Sequence, residues 1–151
     1  MKRTITTLLL LMTVIVMNAN FSVTKMKVSG LTEPLGIDVK PTFSWQTTSD
    51  KRGFYQGGYR IVVTDDKGTE VWNTGKITSP LQNNIQYEGT ELTSRTSYQW
   101  TVTVYDKDGN ASNSGTSSFE TAFMKPSEWN AKWIYAGKTP NSVFEIDFPS
   151  P

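Results

Sequence analysis

The run "YQWTVTVYD", residues 98–106, constrains the fold more than any other stretch of this chain. Tyr98, Trp100, Val102 and Val104 fall on one face of an extended strand, and Gln99, Thr101 and Thr103 fall on the other. Alternation of period two with β-branched and aromatic residues is the pattern of a strand with one dry and one wet face. Such a strand is stable only inside a sheet whose dry face is covered by a second layer.

Other segments repeat the pattern. "KMKVSGL" alternates at Met26 and Val28, with Gly30 read as a bulge. "PTFSWQT" places Phe43 and Trp45 together, "GYRIVVT" does so with Tyr59, Ile61 and Val63, and "SSFETAF" supplies a closing strand around Phe119. No long stripe of helical period occurs after the first twenty residues. "TDDKGTE" and "YDKDGNAS" carry Asp65, Asp66, Gly68, Asp106, Asp108 and Gly109, and such Asp/Gly clusters favour tight turns between strands. The expected fold is all-β: an immunoglobulin-like or fibronectin type III β-sandwich over residues 25–124. Within "ELTSRTSYQWTV", Leu92 followed by Tyr98 has the spacing of a tyrosine corner, and Trp45 suits the core tryptophan of an early strand.

The chain contains no cysteine and no histidine. Disulfides, thiol chemistry, Ser-His-Asp triads and His-bearing zinc sites are therefore excluded for these 151 residues. Fifteen basic residues stand against fourteen acidic ones, so nothing in the charge points to nucleic acid or to a lipid surface. The first twenty residues, "MKRTITTLLLLMTVIVMNAN", have a basic start, an apolar stretch from Ile5 to Met17 and a small polar exit. They read as a secretory signal peptide, which implies export to the periplasm or the outside. An uncleaved N-terminal anchor is the alternative. After cleavage no membrane contact is expected.

The acidic turns raise two chemical readings. Inverting glycosidases use two carboxyl groups roughly 6.5–9.5 Å apart, and "DKDGN" opens like a calcium loop. The twelfth position of that loop is Ser117 rather than the bidentate Glu of an EF-hand. Asp also favours turns because its side chain bonds nearby backbone N–H groups, and that is the reading adopted here. No catalytic, metal or cofactor-binding residue is assigned. Trp72, Tyr55 and Trp129 are candidates for stacking on a sugar ring, with packing as the competing role.

The order of "VSGLTEPLGID", "PTFSWQ", "GYRIVV", "VWNTGKI", "YEGTELTSRTSYQWTVTVYDKDGNAS", "SFETAF" and "SEWNAKWI" resembles that of bacterial α-L-rhamnosidases of glycoside hydrolase family 78. It is similar to their N-terminal fibronectin-like domain and the junction after it. The resemblance implies a non-catalytic accessory domain whose parent enzyme hydrolyses terminal α-L-rhamnosides. The family's acidic residues lie in a helical barrel with no counterpart in this chain, so none is carried over.

Family members often have a tryptophan where this chain has Asn113-Ser114-Gly115, which implies a looser final strand. Residues 125–151 are expected to be a linker and the truncated start of a second β-domain, with Trp129 and Trp133 at the seam. There Phe144, Ile146 and Phe148 alternate with Glu145 and Asp147. Such a strand has no sheet to join, so order is expected to be poor after Ala136. The missing domains of the parent are the expected partners, and a glycan is a second one. The competing function is a stand-alone carbohydrate-binding or cell-surface module.

Overall fold

The computed structural model describes residues 21–131. The N-terminal apolar segment, Trp133 and the alternating run at 141–148 lie outside the described residues. Among the described residues, seven strands form two antiparallel sheets. They are β1 (Phe21–Val28), β2 (Thr42–Ser49), β3 (Gln56–Asp65), β4 (Glu70–Asn73), β5 (Ile85–Gln86), β6 (Ser97–Asp106) and β7 (Gly115–Glu120). One sheet has the order β1-β2-β5 and the other β4-β3-β6-β7. This is an immunoglobulin-like sandwich of three strands on four.

The alternation in the sequence maps onto burial. Tyr98, Trp100, Val102 and Val104 of β6 are buried, as are Tyr59, Ile61 and Val63 of β3. They face Phe43 and Trp45 of β2 across the sandwich. Phe43 touches Trp100 with ring centroids 4.7 Å apart and Phe119 at 6.0 Å, so one ring ties both sheets together. The tyrosine corner forms: the Tyr98 hydroxyl accepts the Thr93 N–H at 2.8 Å, and Leu92 is buried beside it.

Two local expectations are corrected. The bulge in β1 is at Lys25, where the register slips between Thr24 and Lys27 and φ is 47°. Gly30 instead shares a two-residue hairpin turn with Ser29, closed by reciprocal Val28–Leu31 backbone bonds. Both turn residues have positive φ, 50° and 80°, the geometry whose twist matches flanking strands. The final strand is closely approached at its start, Gly115, rather than loose there. A Cβ on Gly115 would lie 2.8 Å from the Met26 sulfur and from Val23 Cγ1, so β1 rests directly on the start of β7. The absent tryptophan is offset by side chains that reach over from β1.

The long 29–41 connection closes one end of the sandwich. Pro34 accepts from the Glu120 N–H, Gly36 and Ile37 donate to the Glu120 carbonyl, and Ala122 donates back to Ile37. Ile37 thereby pairs in parallel with Thr121 and is buried. Thr121 itself is 1% exposed. Its hydroxyl accepts the Thr96 N–H at 3.0 Å and donates to the Thr93 carbonyl at 2.6 Å. That single hydroxyl locks the 93–96 turn to the end of β7.

Candidate functional site

The two acidic turns are structural. Asp65 Oδ1 accepts the N–H groups of Lys67 and Thr69 at 3.0 and 2.7 Å. Asp106 Oδ1 accepts those of Asp108 and Asn110 at 2.9 and 2.8 Å, and its Oδ2 accepts the Asn110 amide. For Asp65 the Thr69 amide bond is the main cause of a carboxyl held below its ordinary value. For Asp106 burial pushes upward, but the bonds from Asn110 and Asp108 outweigh it and the net shift is downward. Each carboxylate serves its own turn, and neither faces a second acid across a cleft.

The second feature is the segment by which the chain leaves the sandwich. Ser94, on the turn locked by Thr121, accepts the Met124 N–H at 2.8 Å and donates to the Glu128 carboxylate. The Ser94 hydroxyl bond is the leading reason the Glu128 carboxyl is held below its usual range. Lys125 pairs with Glu91 at 3.3 Å. The Arg95 guanidinium lies over the Phe123 ring, and Phe123 meets Trp129 edge to face at 5.8 Å. Pro126–Glu128 is a single 3-10 turn. Trp129 is therefore anchored on one edge yet 58% exposed. Leu31, Leu35 and Val39 of the 29–41 connection are exposed as well.

The third feature is a groove of about 550 Å³ between the free edges of the two sheets, where β4 and β5 face each other. Trp72 forms one wall. It is half-buried, stacked on Phe43 at 5.6 Å and set edge-on to Tyr87 at 5.1 Å. It is thus a core residue with one margin open, not a free-standing platform. Tyr59 is 7% exposed, yet it lines the same groove, and its hydroxyl has no hydrogen-bond partner among the described residues. Burial, and then the Glu88 carboxylate, push the Tyr59 phenol above its ordinary value. Asn84, Ile85 and Gln86 form the opposite wall. Tyr55, the third sugar-stacking candidate, is exposed in a separate cleft with Tyr105, whose ring carries the Lys76 ammonium at 4.2 Å.

Trp72 lies on β4, as its run in the sequence suggests, but no local pattern brings Tyr59, Asn84, Gln86 and Glu88 together. Tyr59 was legible only as an inward residue of β3. Ile85 and Gln86 form a two-residue strand too short to show a period.

Residues 23–125 match the family described as the Rha78A-like, N-terminal immunoglobulin domain. An α-L-rhamnosidase of Streptomyces avermitilis is 38% identical over 120 residues, which covers 76% of this chain. One from Formosa agariphila is 37% identical over 112 residues, or 70% of this chain. This chain spans only 12% of the length of either relative. The crystal structure of the Streptomyces avermitilis enzyme, complexed with L-rhamnose, superposes with a TM-score of 0.72 at 36% identity over 78% of this chain. The structure of the α-L-rhamnosidase from Dictyoglumus thermophilum gives 0.72 at 34% identity over the same share, and the alignments cover 12% and 14% of those longer chains. The match spans both sheets and the closing loop, and by it the chain belongs to the immunoglobulin-like N-terminal domain family of Rha78A-like α-L-rhamnosidases.

Proposed function

We propose that this chain is the non-catalytic N-terminal accessory part of an exported α-L-rhamnosidase. In this reading residues 1–20 direct export, 25–124 form the sandwich, and 125–151 lead into the next β-domain. The observation that carries the reading is the anchored exit. Ser94, Arg95 and Glu91 each hold a residue of the 123–128 segment, so the direction of the following chain is set by the sandwich rather than left to a free linker. A rigid exit orients whatever comes after it, which is what a scaffold contributes to a large enzyme. Trp129 and the exposed Leu31, Leu35 and Val39 of the 29–41 connection would then be covered by the next domain, since exposed apolar side chains mark interaction surfaces.

Two measurements test this. The chain from Phe21 onward should not hydrolyse 4-nitrophenyl α-L-rhamnoside; turnover above background would overturn the assignment. Grafted in place of the N-terminal domain of the Streptomyces avermitilis relative, it should restore soluble, active enzyme compared with simple deletion. A graft no better than the deletion would remove the scaffold role.

A further inference from the structure

We propose that the groove between β4 and β5 is a binding site for a neutral pyranoside. This goes beyond the scaffold role and does not depend on which enzyme the domain serves. The argument begins with Tyr59. Its ring is held in the core, edge to face with Trp45 at 5.3 Å, and the residue is 93% buried by its 7% exposure. A phenol so placed ordinarily finds a protein partner. The Tyr59 hydroxyl has none among the described residues and opens into the groove, so it is free to bond a ligand.

What surrounds it defines the ligand. Trp72 supplies an apolar wall, and Ile85 faces it. The side chains of Asn84, Gln86 and Glu88 stand at the rim without hydrogen bonds to other described residues. One aromatic wall with several amide and carboxylate groups suits a molecule that has a C–H face and a ring of hydroxyls, which is the chemistry of a pyranose. Among the described residues that line the groove there is no Lys or Arg, the nearby Arg60 guanidinium is engaged by Asn73, and Glu88 would repel an anionic sugar. Glu88 and Tyr59 lie near enough to interact electrostatically.

The groove is open and shallow-walled, so affinity in the millimolar range is expected. The test uses the chain from Phe21 to Pro151, which contains both sheets and all the core residues named above. Methyl α-L-rhamnopyranoside and methyl α-D-glucopyranoside are titrated while indole and amide NMR signals are followed. At least one sugar should shift the Trp72 indole N–H and the Tyr59 and Gln86 amides along one saturable curve. Y59F removes only the hydroxyl and should weaken binding about fivefold, the effect of one lost hydrogen bond. E88Q should weaken it less, because the amide oxygen still accepts. Absence of saturable shifts with both sugars overturns the proposal. So does binding that Y59F leaves unchanged, or shifts confined to Trp129 or Tyr55. None of these results would touch the scaffold assignment, which the grafted enzyme tests separately.

Discussion

Replacing Thr121 by valine isolates the lock at the exit end of the sandwich. Valine has nearly the same shape, so no cavity opens, and the only loss is the hydroxyl. That hydroxyl accepts from the Thr96 N–H and donates to the Thr93 carbonyl. The bond to Thr96 would leave a donor facing a residue that is 1% exposed. A hydrogen bond contributes about 1 kcal/mol net, and a stranded buried group costs about 1–3 kcal/mol. Thr93 lies at the surface, where water reaches its carbonyl, so the lower part of that range applies to it. The sum is a destabilisation of about 2–3 kcal/mol. With a urea slope of about 1.5 kcal/mol per molar, the unfolding midpoint should fall by roughly 1.3–2 M at unchanged slope. T121S is the control: it keeps the hydroxyl and drops one buried methyl, at about 1 kcal/mol. Valine should therefore be worse than serine. If T121V is as stable as the unchanged chain, or more stable than T121S, the hydroxyl is not the lock and the end of β7 is held by packing alone.

Two further outcomes follow from the turns and the exit. Asp65 and Asp106 have folded-state pKa values below the ordinary 3.8, so their turns contribute stability above that pH and lose it as pH falls through the lower folded values. Urea midpoints should be flat near neutrality and drop in acid, and D65N/D106N should flatten the acid limb; an unchanged acid limb in that variant would assign the loss to other groups. S94A removes both the acceptor for Met124 and the donor to Glu128. Amide exchange over residues 124–129 should quicken about five- to tenfold while global stability changes little. Equal exchange rates would mean that Arg95 and Phe123 hold the exit without Ser94.

The strands that could be read from the sequence are those with one face wet and one dry. In β3 and β6 the pleat imposes a period long enough to recognise, and the Tyr98 corner sits where its spacing from Leu92 put it. Three features left no such trace. β1 already includes Phe21, the first described residue and four ahead of the expected Lys25, and its alternation is broken by a lysine with positive φ. Gln56, a polar residue that no strand pattern marks as buried, is 3% exposed, accepting from Trp45 Nε1 at 3.3 Å and donating to the Leu81 carbonyl at 2.8 Å. Its role depends on a contact 25 residues away, which no local pattern encodes. The groove is of the same kind: β3, β4 and β5 each contribute a little, and only the tertiary fold shows that a core tyrosine emerges with its hydroxyl free.

The parallel bridge Ser22–Asn113 sets the start of β1 beside the approach to β7, and the parallel bridge Ile37–Thr121 sets the 29–41 connection beside the end of β7. Phe21 therefore stands at one end of the sandwich and the 122–131 segment departs from the other. A pull applied through these two points acts along the strands, while the ladder bonds between β1 and β2 lie across them. The load is shared by many bonds in shear instead of opening them one by one like a zipper. Mechanically the domain is a tie rod in line with its chain.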